Sequence, residues 1–204
     1  MQFCTEWVRR THSVNPIYKI PGVLAEKGLA DRFSVEYCSK IRLVGEEHME
    51  MNLLTLTNVL IMGNANGILR PLREDDIYFV PYWEVAFTSE CGLEKNTLSD
   101  QIEKVKNRVS LNKHYIWEDK IPVSQAIIGR NLINGVVVNG VYTPPMFRRK
   151  GYATSCVANV SRLILDSGNK FCCLFADAMN PVSNKIYNKI GYKHVCIYLE
   201  VKFI

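Results

Sequence analysis

The sequence predicts an α/β fold, a mixed central sheet flanked by helices, carried mainly by residues 68–204. Three observations carry that expectation. From residue 68 onward, strand-like apolar runs and stretches of helical spacing follow in the order β-α-α-β-β-β-α-β-α-β. Residues 171–176 (F-C-C-L-F-A) are apolar on both faces, as suits a central strand covered from both sides. Ala153, Cys156, Val157, Val160, Leu163 and Ile164 recur at helical spacing and make one apolar stripe.

Composition narrows the class. A chain of 204 residues, 48% hydrophobic and 22% charged, is ordinary for a globular protein and excludes disordered, collagen-like and mucin-like classes. At about 150 residues per domain it holds one domain with an appendage, or two small ones. No apolar run is long enough to span a membrane, and Glu6, Arg9 and Arg10 interrupt any signal-peptide pattern, so no membrane partner and a cytoplasmic location are expected. The 7 cysteines form no C-x-x-C pair and read as buried thiols in a reducing compartment. The 4 histidines are scattered, so no metal is expected. A net charge of +5 suits an anionic ligand better than a duplex nucleic acid, which calls for Lys and Arg clustered on one face.

The elements follow in order. Pro21-Gly22 is a turn signal, and Leu24, Leu29, Phe33 and Tyr37 suggest a helix over residues 23–42, with Gly28 a weak point inside it. Residues 51–61 are apolar and β-branched and read as a strand. Residues 63–67 (G-N-A-N-G) have linker chemistry, which places a boundary between segments 1–67 and 68–204. After a short strand at 68–70, Asp75 or Asp76 caps a helix over 77–89, confined by Pro81. Ser99 caps a second helix that ends near residue 110 and places Ile102, Val105 and Val109 on one side. Strands are expected at 114–118, 123–128 and 135–143, the last two joined by an Asn134-Gly135 hairpin. Ser167-Gly168 stops the long helix, and Asn180-Pro181 opens a helix that Gly191 ends. Within it, Val182, Ile186 and Ile190 form the core stripe, with Ser183 and Tyr187 on the adjacent face. Residues 194–204 close the chain as a strand.

The informative chemistry lies at residues 136–154, V-V-V-N-G-V-Y-T-P-P-M-F-R-R-K-G-Y-A-T. Pro144-Pro145 turns the chain out of a strand, and Arg148, Arg149, Lys150 and Gly151 stand where the long helix opens. Its first N–H groups have no partner inside the helix, the macrodipole adds positive potential, and three cations sit beside a glycine. Two readings fit: a solvated basic turn, or a cradle for a diphosphate. Neither G-x-x-x-x-G-K-[ST] nor G-x-G-x-x-G occurs.

This stretch resembles the acetyl-CoA signature Q/R-x-x-G-x-G/A of the GNAT acyltransferase superfamily. Residues 175–192 (F-x-D-x-x-N-P-x-S-N-K-I-Y-x-K-I-G-Y) resemble that superfamily's second CoA-contacting segment, in the right order and spacing. The resemblance covers about residues 68–204. It implies acetyl-CoA as co-substrate, with Arg148 at the first motif position and Arg149, Lys150, Gly151, Tyr152, Ala153 and Thr154 around the diphosphate. Asn180 and Ser183 join the cofactor contacts. It also implies a β-bulge at Asn139-Gly140, in place of a second hairpin, that splays two parallel strands. Backbone groups of Val141, Tyr142 and Thr143 would then pair with pantetheine. More weakly, residues 1–67 resemble the second half of the degenerate GNAT-like domain that precedes the catalytic one in some bacterial proteins. The chain would then start partway through that domain and take a partner strand from another subunit, as in a homodimer.

Tyr187 matches the tyrosine whose hydroxyl lies near the CoA sulfur; packing at the core rim is the competing use. A thiol titrates near ~8.5 and tyrosine near ~10, so full proton transfer from an ordinary tyrosine is uphill by roughly 2 kcal/mol, and a hydrogen bond to the developing thiolate is favoured. Many family members carry a carboxylate on the strand before the signature. Residues 135–143 have none, so base catalysis comes through water, from elsewhere or hardly at all: Glu90 could reach the acceptor side, and Glu118 with Asp119 reads more readily as a solvated hairpin turn than as a base. The expected reaction is acetyl transfer to a small-molecule or peptide amine by direct attack in a ternary complex. The competing classes are a non-catalytic CoA-binding sensor with the same fold, favoured by the missing carboxylate, and a nucleic-acid module, for which aromatic interleaving is lacking.

Overall fold

The computed structural model describes residues 19–93 and 97–204. Contacts divide the chain into two units. One holds residues up to Leu53 with Phe175–Asn184 and His194–Ile204; the other holds Leu54–Leu174 and Lys185–Lys193. Two C-terminal pieces remote in sequence belong to the first unit. Cys4, His12 and the rest of residues 1–18 lie outside the described residues, as do 94–96. Eight strands and five α-helices form among the described residues, an α/β architecture with a mixed sheet.

In the first unit, β1 (Gly22–Glu26) pairs antiparallel with β8 (Lys193–Phe203), from Gly22 opposite Lys202 to Glu26 opposite Tyr198. Residues 22–26 are therefore strand, where helical spacing had suggested helix. The helix α1 (Lys27–Ile41) starts only after Glu26, whose carboxylate accepts from the Gly28 and Leu29 N–H groups. Ala30, Ser34 and Tyr37 line its buried face, and Ala30 and Tyr37 pack with Leu199, Val201 and Phe203. The Tyr37 ring lies 5.0 Å from that of Phe203, and its hydroxyl accepts from the Ile20 N–H. Next to β8 runs β2 (Gly45–Leu56), which begins upstream of the expected 51–61 and ends before Asn58. Its first four residues are exposed, so backbone pairing extends the strand where no apolar pattern announces it.

The second unit is a meander. Strands β3 (Ile68–Pro71), β4 (His114–Asp119), β5 (Ile121–Asn131) and β6 (Gly135–Tyr142) pair antiparallel in sequence. On the other side of β6 lies β7 (Phe171–Asp177), parallel to it. The Asn134-Gly135 turn is present, with the Leu132 N–H donating to the Gly135 carbonyl at 2.7 Å. Helices α2 (Val80–Glu90) and α3 (Leu98–Leu111) contribute Val80 and Val105 to a core with Leu72 and Ile116. The α3 cap is Thr97, not Ser99, because Thr97 and Asp100 form a reciprocal capping box. Helix α4 (Tyr152–Asp166) buries Cys156, Val157, Val160 and Ile164 across the meander, while Leu163 is largely exposed. The final helix is α5 (Pro181–Ile190).

Residues 63–67 are not a free linker. The Ala65 N–H donates to Ser155 Oγ at 3.2 Å, and Trp117 Nε1 donates to the Asn66 carbonyl at 2.9 Å. This segment is pinned to α4 and β4 within the second unit. Buried and half-buried thiols coexist: Cys156, Cys172 and Cys173 are buried, whereas Cys38, Cys91 and Cys196 are half-buried, which corrects the expectation that all are buried.

Candidate active site

Strand β6 carries a bulge where the sequence places Asn139-Gly140. Gln125 stands opposite Tyr142 and Ile127 opposite Asn139, so Gly140 and Val141 together face the single Ala126. Gly140 has φ 57°, and a Cβ there would lie 2.5 Å from Ile127 Cδ1, so the bulge needs glycine. Parallel pairing with β7 runs only from Gly135 opposite Phe171 to Val137 opposite Cys173. Beyond Val137, β6 continues to Tyr142 with no β7 register among the described pairs.

Donors already engage several backbone carbonyls in this stretch. Gln125 Nε2 donates to the Gly140 carbonyl at 3.2 Å, and Ser124 Oγ to the Tyr142 carbonyl at 3.1 Å. Arg148 Nε donates to the Thr143 carbonyl at 2.8 Å. Since the groups of Tyr142 face β5, those of Val141 face the opposite edge of β6, the one the bulge frees from pairing. Of the three residues expected to pair with pantetheine, Tyr142 and Thr143 have carbonyls that already have donors, while Val141 has no β7 partner among the described pairs.

After the Pro145–Phe147 3₁₀ turn come Arg149, at φ 65°, and Gly151, at φ 84°. These left-handed residues turn the chain into α4, whose first bond joins the Ser155 N–H to the Gly151 carbonyl at 3.0 Å. The N–H groups of Tyr152, Ala153 and Thr154 therefore have no acceptor within the helix, and no side chain caps them. Arg149, Lys150 and Gly151 are exposed beside them. Backbone donors, helix dipole and two cations fit an anion of diphosphate size.

Arg148 behaves differently from its expected role. Its guanidinium donates to both Glu90 carboxylate oxygens, at 2.9 and 2.6 Å, and lies 5.7 Å from the Tyr142 ring centroid. The Tyr142 hydroxyl also donates to Glu90, at 3.1 Å. Arg148, Glu90, Tyr142 and Thr143 thus form one cluster that ties the signature loop to the end of α2. Glu118 is elsewhere: it accepts from Arg70, which also holds Asp76 through two bonds of 2.7 and 2.8 Å. Glu118 is thus tied through Arg70 to the buried Arg70–Asp76 ion pair. Its neighbour Asp119 accepts from the Tyr152 hydroxyl at 2.6 Å and fixes the first side chain of α4.

Tyr187 lies on the buried face of α5 with Ile190, not beside it; Val182, assigned to the core stripe, is 68% exposed. The Tyr187 ring packs edge-on against Tyr192 at 5.8 Å, and its hydroxyl makes no hydrogen bond among the described residues. Burial pushes its pKa up, and the Cys91 and Cys156 thiols add to the rise. Asn180 and Ser183 lie in the first unit, where they cap α5: Asn180 Oδ1 accepts from the Ser183 N–H at 3.1 Å, and Ser183 Oγ donates to the Asn180 carbonyl.

A further polar cluster was not anticipated. Gln125 on β5 and Glu84 on α2 are buried and hydrogen-bonded to each other, and Arg108 on α3 donates to Glu84 at 3.0 Å. The ring nitrogens of His114, itself fully buried, have no partner among the described residues. Burial lowers the His114 pKa to about 4, against the opposing charge of Glu84. A glutamate inside V-P-Y-W-E-V-A-F and a glutamine inside I-P-V-S-Q-A-I-I were the available signals.

The strand meander, the bulge and the parallel pair make the fold of the GNAT acyltransferases. The family model described as FR47-like protein matches residues 128–200. An acetyltransferase from the GNAT family of Colwellia psychrerythraea is similar over 100% of this chain and 72% of its own, at 10% identity and a TM-score of 0.67. A Drosophila protein is similar over 98% of this chain and 66% of its own, at 16% identity and a TM-score of 0.69. A "predicted acetyltransferase with acetyl-CoA" from Clostridium acetobutylicum is similar over 64% of this chain and 92% of its own, at 17% identity and a TM-score of 0.50. The chain therefore spans about two thirds of the Drosophila protein's length. No curated protein matches it.

Proposed function

We propose that this chain moves an acetyl group from acetyl-CoA to an amine, a small molecule or peptide, by direct attack in a ternary complex. The observation that carries the reading is the glycine bulge of β6, after which Val141 has no β7 partner among the described pairs, a few residues before the open N–H groups of α4. An extended pantetheine arm would pair with Val141 as an added strand, and the diphosphate would meet Tyr152, Ala153 and Thr154 N–H with Arg149 and Lys150. Acetyl-CoA supplies the activated carbonyl, on whose oxygen and then sulfur negative charge develops. In this reading the Val141 N–H would stabilise the first of these charges and the Tyr187 hydroxyl the second.

The raised pKa of Tyr187 supports a role as neutral donor. With ordinary values the proton would already move uphill by about 2 kcal/mol from tyrosine to thiolate, and burial widens that gap. Tyr187 therefore hydrogen-bonds the departing sulfur and keeps its proton. Burial pushes the Cys156 thiol up to about 12, so it offers no thiolate to carry an acyl group, in keeping with direct transfer. Freeing a lysine-like amine costs about 4–5 kcal/mol at neutral pH. Glu90, the carboxylate next to Tyr142, is the candidate that takes the proton. Holding amine and thioester together contributes up to ~7–11 kcal/mol more.

A CoA-binding sensor is the second reading, because β6 carries no Asp or Glu and Glu90 is engaged by Arg148. No helix among the described residues is long and apolar enough to cross a membrane. Residues 1–67 read as part of a second, degenerate GNAT-like domain. Similarity to the Colwellia protein over 100% of this chain, against 64% for the shorter Clostridium protein, supports that reading. An acetyl-CoA turnover screen over amines, polyamines, aminoglycosides and peptides, followed as free thiol, tests the enzyme reading. Amine-dependent release supports it; acetyl-CoA binding without release from any amine favours the sensor.

A further inference from the structure

We infer that Gln125 is a positioning residue that sets the direction of the Val141 N–H, and so the oxyanion donor of the reaction proposed above, on which this inference rests. The side chain is fully buried on β5. Its amide nitrogen donates to Glu84 Oε1 and, at 3.2 Å, to the Gly140 carbonyl. Both partners are acceptors only, so the amide can serve them only with its nitrogen turned toward them. The amide oxygen makes no hydrogen bond of good geometry among the described residues, and the His114 side chain is the polar group that interacts with this amide.

The carbonyl of Gly140 and the N–H of Val141 belong to one planar trans peptide and point in opposite directions. Fixing the carbonyl on Gln125 therefore aims the N–H away from β5, at the edge of β6 that the bulge leaves unpaired. At the bulge Gly140 and Val141 share the single residue Ala126 opposite them, and a glycine at φ 57° offers little resistance to rotation of the peptide. Gln125 supplies the missing restraint. Glu84 holds the amide from α2, and Arg108 holds Glu84 from α3 at 3.0 Å, so three elements set one peptide plane.

The test reads the bond that the N–H would polarise. Acetyl-CoA labelled with ¹³C at the acetyl carbonyl is bound to the full chain without an amine, and its carbonyl stretch is compared with that of the free compound. The wild type is expected to lower the frequency. Gln125→Met, close in shape and without the amide, should return the band toward the free value and lower kcat by about tenfold or more, with acetyl-CoA affinity changed less than threefold. Gln125→Asn keeps an amide for Glu84 but is too short to span both partners, and it should show the same reversal if the Met variant does not fold. A shifted band that persists in both folded variants overturns the role of Gln125. Acetyl-CoA bound with no shift in the wild type overturns the Val141 assignment and the inference with it. No binding at all overturns the acetyl-transfer reading itself.

Discussion

Tyr187 and Arg148 show how a residue's neighbours decide its role. The Tyr187 ring is 8% exposed and packed on Tyr192, while its hydroxyl lacks a hydrogen bond among the described residues; packing and chemistry are thus divided between ring and oxygen. Tyr187→Phe keeps the ring, so thermal stability should change little, while kcat and kcat/KM fall together by about 10²–10⁴ in steady-state assays. Arg148 matches a motif position, yet its guanidinium is spent on Glu90 and the Thr143 carbonyl, with both charged side chains about two-fifths exposed. Arg148→Ala should change CoA affinity by less than about threefold, whereas Lys150→Glu should lower it by about tenfold at low salt and less at high salt, as calorimetry would read. His114 predicts a pH effect on stability. Its folded pKa of about 4 lies below the ordinary value near 6.5, so between these the unfolded chain binds the proton that the folded chain refuses. Stability is full above pH 6.5 and falls as pH drops toward 4, by about 2 kcal/mol at pH 5 from this residue. Glu84, Arg108 and Asp76 face it and their charges partly offset one another. Urea unfolding of wild type and His114→Leu at pH 7 and pH 5 should show the steeper loss in the wild type; equal slopes would remove His114 as its source.

At the scale of elements, β6 is organised by one residue without a side chain. At Gly140 a Cβ would meet Ile127 and the left-handed conformation disfavours any other residue. Gly140→Val should cost about 2–4 kcal/mol in chemical unfolding and weaken CoA binding, because relief of the clash closes the bulge onto β5. A variant as stable as wild type would mean the bulge forms without glycine. This element was legible beforehand, since Asn139-Gly140 lies too near Asn134-Gly135 for two hairpins. The signature loop was legible for the same local reason: Pro144-Pro145, three cations and Gly151 are contiguous. Strand β1 was not, because Leu24 falls in helical register with Leu29, Phe33 and Tyr37, and only pairing with β8 at the other end of the chain makes it a strand. Nor was the role of Glu118, whose buried partner Arg70 lies far from it in sequence.

Across the whole chain, local signals located most helices and strands of residues 68–204, and nonlocal contacts decided what they could not. Residues 175–184 and 194–204 return to the first unit, a fact no window of sequence contains. Residues 63–67 have every compositional mark of a linker, yet Ser155 and Trp117 bind them in place. The pairing of Gln125 with Glu84 spans two elements and was equally hidden, although each stands out as a polar residue in an apolar run. What the molecule is proposed to do, hold acetyl-CoA along β6 and α4 and pass its acetyl group to an amine, is best tested by following the label. Acetyl-CoA carrying a ¹³C-acetyl group is incubated with the wild type and with Tyr187→Phe in the presence of the amine panel, and products are read by mass spectrometry. The labelled acetyl group should appear on an amine with the wild type, in step with free thiol, and at least a hundredfold more slowly with the variant. Labelled acetyl-CoA that is bound yet transferred to none of the amines, or transferred equally fast by both proteins, would contradict it.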